Sequence, residues 1–205
     1  MNNESDTHEI DELKALLGIQ KNKYYLRNVI FVARGVHILP SKMEYTKIIF
    51  AALAKILDKN NVGIWASETK MRPNEFGNHM EDVMKYSLEN LEDYPGISVI
   101  HYSKGYPDLA IQRNGKTLFY LEIKTLNQNS MNSSFRSFYF SLDENAHIDT
   151  DAPHYLVGFK TDGSNNLTGD YEVLDLYNMR VNLKKEFNTS NKEMYKEEYS
   201  LSDNE

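Results

Sequence analysis

Three ionisable residues near the middle of the chain carry the most telling chemistry. Asp108 follows Pro107 at the start of one β-rich run, and Glu122 and Lys124 lie two apart on the next, Lys116 to Leu126. Side chains two apart on a strand project from the same face, so Glu122 and Lys124 point together. Two neighbouring carboxylates repel unless a cation lies between them, and hard oxygen ligands with water completing an octahedron suit Mg²⁺. A lysine beside such a cation can assist an attacking water while the cation offsets charge on a pentacovalent phosphate. The plain alternative is an exposed hairpin with a surface Glu–Lys pair, and Glu-x-Lys alone is common. The apolar neighbours Leu121 and Ile123, and the Pro-Asp at the entry of the opposing strand, set this instance apart.

Whether Asp108 joins the other two depends on the turn at Arg113-Asn114-Gly115. A two-residue Asn114-Gly115 turn pairs Asp108 with Leu121 and puts it on the face opposite Glu122. A three-residue turn with Gly115 left-handed pairs Asp108 with Tyr120 and brings Asp108, Glu122 and Lys124 to one face. The second register is favoured, because it also gathers Leu109, Ile111, Phe119, Leu121 and Ile123 on the opposite, buried face.

These strands need supports. Residues 24–39 alternate β-branched, aromatic and small residues and are expected to contain a strand. After Pro40, Ser41 and Glu44 fit a capping box. The apolar positions Tyr45, Ile48, Ile49, Ala52, Leu53, Ile56 and Leu57 then recur at helical spacing. Val62 to Trp65 reads as a short strand. A second helix runs to about Leu91 with Met80, Val83, Met84, Ser87, Leu88 and Leu91 on one face, the methionines serving as core. Strands follow at Ile97–Tyr102, Pro107–Gln112, Lys116–Leu126, Tyr155–Lys160 and Tyr171–Leu176, and part of residues 178–199 is expected to be helical. The order predicts an α/β fold, a central mixed sheet with helices against it.

The chain has 205 residues and no cysteine, which excludes disulfides, thiolate metal sites and thiol nucleophiles. No apolar run approaches the length of a membrane span, and the acidic N-terminus is unlike a secretory signal, so a cytoplasmic location is expected. No Gly-x-Gly-x-x-Gly or phosphate-loop lysine motif is present, so a nucleotide cofactor is not expected. The formal charge of −7 is concentrated at the ends, with five acids and no base in residues 1–12 and five acids in residues 192–205. Residues 13–72 hold eleven Lys/Arg against three acids, a local excess that can face phosphates. This divides the chain into a flexible acidic tail over 1–12, one domain over 13–191 and an acidic tail over 192–205.

Pro107-Asp108 followed by Glu122-Ile123-Lys124, with thirteen residues between the acids, resembles the signature of the PD-(D/E)xK nuclease superfamily. Among its members the chain is most like a type II restriction endonuclease. The resemblance implies a restriction-endonuclease-like core and metal-dependent phosphodiester cleavage. Asp108, Glu122 and the Ile123 carbonyl would hold Mg²⁺, with Mn²⁺ able to substitute, and Lys124 would assist the water. Members often add an acid from the preceding helix. Gly77-Asn78-His79-Met80-Glu81 is similar to a Gly-x-x-x-Glu form and nominates Glu81, with Glu75 and Asp82 as competitors. The expected partners are double-stranded DNA and a second copy of the chain, because a homodimer places one site on each strand.

Beside the catalytic strand, Asn127, Gln128, Ser130, Ser134 and Arg136 can contact phosphates or base edges, as can Lys104 just ahead of Pro107. An ordinary polar loop is the plain reading of that segment, and His101, His147 and His154 read as structural or exposed. The rival functions are a structure-specific repair or recombination nuclease of the same superfamily, and a non-catalytic DNA-binding protein retaining the fold.

Overall fold

The structure, a computed structural model, describes residues 23–58, 72–127, 146–162, 166–182, 189–194 and 196. Its elements are β1 (Tyr24–Tyr25), α1 (Leu26–Arg34), β2 (Ile38–Leu39), α2 (Met43–Ile56), α3 (Pro73–Glu89), β3 (Ile97–His101), β4 (Leu109–Arg113), β5 (Lys116–Asn127), β6 (Ala152–Thr161), β7 (Leu167–Asp175), a 3-10 turn (Leu176–Asn178), β8 (Arg180–Val181) and α4 (Asn191–Met194). Tyr25–Arg180 form one compact unit.

The larger unit is built on a mixed sheet of order β2-β6-β5-β4-β3, with β7 also on β6. β3, β4 and β5 form an antiparallel meander, β5 and β6 run parallel, and β7 returns antiparallel on β6. This is the expected α/β architecture. Helices α2 and α3 pack together, and α3 lies against β3 and β5. Ile48, Ile49, Ala52, Leu53 and Ile56 of α2 and Phe76, Met80, Val83, Met84 and Leu88 of α3 meet Leu109, Ile111, Phe119, Leu121 and Ile123 in one core. The helical stripes read from the sequence are therefore the buried faces, and the methionine pair is core.

Three local expectations are corrected. Residues 24–39 hold only two-residue strands at their ends, and the middle is α1. Val29, Ile30, Phe31 and Val32 have strand propensity, but Leu26 and Ile30, one turn apart, are the buried pair, and one-sided burial overrides propensity. Gly35, at φ 71°, ends the helix in a left-handed conformation and donates its N–H to Phe31 O. The Ser41–Glu44 capping box does not form: α2 starts at Met43, and its N-cap Lys42 makes no side-chain cap. The Lys42 N–H instead donates to Tyr155 Oη at 2.9 Å, so a tertiary contact from the sheet replaces the local cap. The proposed strand Val62–Trp65 lies outside the described residues.

The hairpin register is the third correction. The turn is the two-residue Asn114-Gly115 form, both residues at positive φ, pairing Arg113 with Lys116. A register shift between Ile111 and Gln112 then sets Ile111 against Phe119 and Leu109 against Leu121. The bulge inserts one residue and restores the parity that the turn alone would have reversed. Asp108 thus reaches the face of Glu122 and Lys124 by a turn plus a bulge, where a three-residue turn was expected.

Candidate active site

The β4–β5 ladder stops at the Leu109–Leu121 pair, which frees the main chain of Ile123 on that side. Asp108, just before β4, fills the gap: its Oδ2 accepts the Ile123 N–H at 2.6 Å. The Ile123 carbonyl accepts from Lys124 Nζ at 2.9 Å. The same ammonium lies 2.6 Å from Glu122 Oε1 and 3.5 Å from Asp108 Oδ2. The three donors proposed for a cation, namely Asp108, Glu122 and the Ile123 carbonyl, thus converge on one positive charge.

Both carboxylates are sequestered, Asp108 at 8% and Glu122 at 4% exposure. Burial, with the charge of Asp108 adding to it, pushes the Glu122 carboxyl up to about 7 against the pull of Lys124. For Lys124, burial works downward, but attraction to Glu122 and Asp108 outweighs it and the ammonium is held above its ordinary range. The two shifts have different origins: burial lifts Glu122, and the neighbouring carboxylates lift Lys124.

Glu81 is the third of these. It projects from α3 beside Asp108, and burial followed by the Asp108 charge raises its carboxyl, partly opposed by His101 and Lys124. Its side chain is 16% exposed, against 68% for Asp82. Glu75, the other competitor, is exposed and its Oε2 accepts the Arg72 N–H at 2.8 Å, closing the first turn of α3. Glu81 is electrostatically coupled to Asp108 and Lys124.

Glu81 and Asp108 line an open cleft of about 390 Å³ together with Asn78, Asp82, His101 and Lys104. His101, read from the sequence as structural or exposed, is in fact a cleft residue; as the last residue of β3 it pairs with Leu109, beside Asp108, and that strand register was the available signal. His154 is structural, as expected: it is fully buried, bonded through Nδ1 to Tyr106 Oη at 2.7 Å, and held neutral by burial, which lowers its pKa to about 3. His147 stacks on Tyr102 at 4.3 Å between centroids. Of the residues nominated for DNA contact, Lys104 is on the cleft wall and Asn127 ends β5; Gln128, Ser130, Ser134 and Arg136 lie outside the described residues.

The donor set suits a hard divalent cation. Asp108, Glu122 and the Ile123 carbonyl are oxygen donors, and Glu122 Oε2 is buried with no hydrogen-bond partner. With Glu81, three carboxylates against one lysine leave a charge of −2 when all are ionised, which one divalent ion balances. No group of three or more His, Asp or Glu side chains stands in a ligating arrangement among the described residues. The third oxygen comes from the main chain, and the Lys124 ammonium occupies the space between the donors.

Known proteins give the same direction. Residues 19–198 match the family of the type II restriction enzyme MjaV. The type II restriction enzyme MjaV of Methanocaldococcus jannaschii is 31% identical, over 97% of this chain and 96% of its own length. No solved structure matches the chain. The match spans the helices, the meander and the acidic hairpin alike, and the chain belongs to the MjaV family of type II restriction enzymes.

Proposed function

We propose that this chain is a site-specific endonuclease that hydrolyses phosphodiester bonds of double-stranded DNA at the Asp108–Glu122–Lys124 cluster, using Mg²⁺, or Mn²⁺ in its place. The observation that carries the reading is the convergence of Asp108, Glu122 and the Ile123 carbonyl on Lys124 Nζ beside an open cleft, in a chain of the MjaV family. Asp108, Glu122 and the Ile123 carbonyl would hold the cation, with Glu81 close by on the helix side. When bound, the cation supplies charge neutralisation at the scissile phosphate and activation of water.

The residues of the chain do the rest. Asp108 is fixed by the Ile123 N–H, so its carboxylate is preorganised rather than recruited. Lys124, held against Glu122, Asp108 and the Ile123 carbonyl, would assist the attacking water. Lys104 and the polar segment from Asn127 through Gln128, Ser130, Ser134 and Arg136 would contact the duplex. A homodimer would set one such site on each strand of a palindromic target, and the acidic ends over 1–12 and 192–205 would stay outside the chemistry. Among the described residues no helix is long and apolar enough to cross a membrane, and we place the enzyme in the cytoplasm, where DNA is encountered.

The deciding experiment incubates the purified chain with plasmid and genomic DNA, with Mg²⁺ and with EDTA. Discrete fragments with reproducible ends in Mg²⁺ alone are expected. Undigested DNA under all metal conditions, with the protein folded and binding DNA, overturns the reading in favour of a non-catalytic binder.

A further inference from the structure

His101 stands at the end of β3, facing the acid-bearing turn of α3 across the cleft. Its Nε2 lies 2.8 Å from Glu81 Oε2, and its Nδ1 lies 3.4 Å from Asp82 Oδ1. The short contact assigns the Nε2 proton to the bond with Glu81. Among the described residues this bond is the hydrogen bond that Glu81 makes.

A glutamate with its three side-chain torsions ordinarily escapes a like charge by swinging into water. Glu81 is under that pressure, since it is half-buried, with 16% of its side chain exposed, and sits in the field of Asp108. Lys124 attracts it through space, and His101 ties it by a directed bond. The strand pairing puts His101 where it can do this: His101 pairs with Leu109, and the next residue, Tyr102, donates its N–H to Asp108 O at 2.9 Å. The imidazole and the Asp108 backbone are therefore held by the same two strands, which fixes the distance between the anchor of Glu81 and the acid it faces.

We propose that His101 is a positioning residue: it clamps Glu81 from the sheet side, so that the helix acid stays beside Asp108 in the cleft, where a cation can use it. The proposal rests on the nuclease reading for the identity of the cation and substrate. It predicts that His101 acts through Glu81 alone. Outer partners of ligands typically contribute 10- to 100-fold to metal affinity or activity.

The test compares the full-length wild type with His101→Ala, His101→Gln, Glu81→Ala and the double variant His101→Ala/Glu81→Ala. Two readouts are taken: the Mg²⁺ concentration for half-maximal plasmid cleavage, and the rise in Tm on titrating Ca²⁺ or Mg²⁺ without DNA. His101→Ala should raise the required Mg²⁺ and weaken the Tm response by about 10-fold or more in concentration. His101→Gln, which keeps an amide donor, should recover much of both. The double variant should be no worse than Glu81→Ala, because residues in one bond lose it only once.

The proposal is overturned by a wild-type metal response in His101→Ala, by additive losses in the double variant, or by a Glu81→Ala protein that responds to metal like the wild type. If His101→Ala does not fold, the same comparison is made with His101→Gln and His101→Gln/Glu81→Ala, and equal losses in Glu81→Ala and that double variant support it. Because the Tm arm uses metal without DNA, it judges His101 even where cleavage fails, whereas absence of cleavage in the wild type bears on the nuclease reading alone.

Discussion

Lys124 Nζ lies 2.6 Å from Glu122 Oε1, and this pair ties the candidate site together. The two residues are next-but-one neighbours on β5, so the pleat alone aims them at the same space. Asp108 Oδ2 and the Ile123 carbonyl complete the ring around the ammonium. The lysine thus occupies the place between donors that a metal would claim.

Glu122→Gln and Asp108→Asn are expected to abolish plasmid cleavage in Mg²⁺ while leaving the circular dichroism spectrum intact. Their stabilities should differ from that of Asp108→Ala. The alanine orphans the buried Ile123 N–H, at a cost of about 1–3 kcal/mol, whereas asparagine retains an oxygen for it. Metal-free Tm values rank the variants. An Asp108→Ala protein as stable as Asp108→Asn would show that the 2.6 Å bond contributes nothing.

Lys124→Ala should keep DNA binding and lose about 10²–10⁴-fold in cleavage rate. It also leaves the buried Glu122 and Asp108 without their cation, so metal-free stability should fall by a few kcal/mol. Mg²⁺ should then raise the Tm of Lys124→Ala by more than it raises that of the wild type. Equal increments in the two proteins would mean that metal and ammonium do not compete for the same oxygens.

The pH dependence of metal-free stability follows from Glu122. Its folded value, about 7, lies above the ordinary carboxyl value, so the folded state holds a proton that the unfolded chain releases. The associated stability is fully present below the unfolded value near 4.5 and is lost as pH rises through about 7. Urea titrations of wild type and Glu122→Gln between pH 5 and pH 8 should show the difference between them shifting in favour of the glutamine variant as pH rises. A constant difference would reject a raised Glu122.

His154 works in the opposite sense. Burial lowers its pKa from 6.5 to about 3, so the unfolded chain takes up a proton that the folded state refuses. Its contribution is present above pH 6.5 and is lost progressively as pH falls toward 3. His154→Gln should flatten this acid limb in urea titrations run against the wild type. An unchanged acid limb would place a charged His154 in the folded protein.

Lys104 on the cleft wall is expected to face phosphate, whereas Arg27 is not. Arg27 Nη1 donates to Tyr177 O at 2.7 Å and to Asn178 Oδ1 at 2.8 Å, and its guanidinium stacks on Tyr25. Lys104→Ala should weaken DNA binding and reduce the slope of log K against log salt by up to about 0.9. Arg27→Ala should lower the Tm and leave that slope alone. The reverse assignment in fluorescence-anisotropy titrations would put the DNA on another face.

The chain's own order of residues is enough to find the acidic hairpin, the apolar stripes of α2 and α3 and the mixed sheet. These features depend on local periodicity: two residues per repeat on β5, where Glu122 and Lys124 must share a face, and 3.6 on the helices. A motif likeness points to Glu81, and the tertiary structure adds that Glu75 accepts the Arg72 N–H at the start of α3 and that Asp82 is exposed.

Other features depend on partners distant in sequence. The strand-forming residues of α1 became helical because only Leu26 and Ile30 found a core to enter. The start of α2 is set by Tyr155, 113 positions away. The register that brings Asp108 to Glu122 comes from a bulge near Ile111, where a turn rule counts residues but cannot count an extra one inside the ladder. His101 is silent in sequence, one histidine among six, until β3 pairs with β4 and carries it to Glu81. Side-chain spacing is a property of one strand, whereas the company a side chain keeps depends on which strands pair and in what register, and that is decided by the burial of the whole sheet.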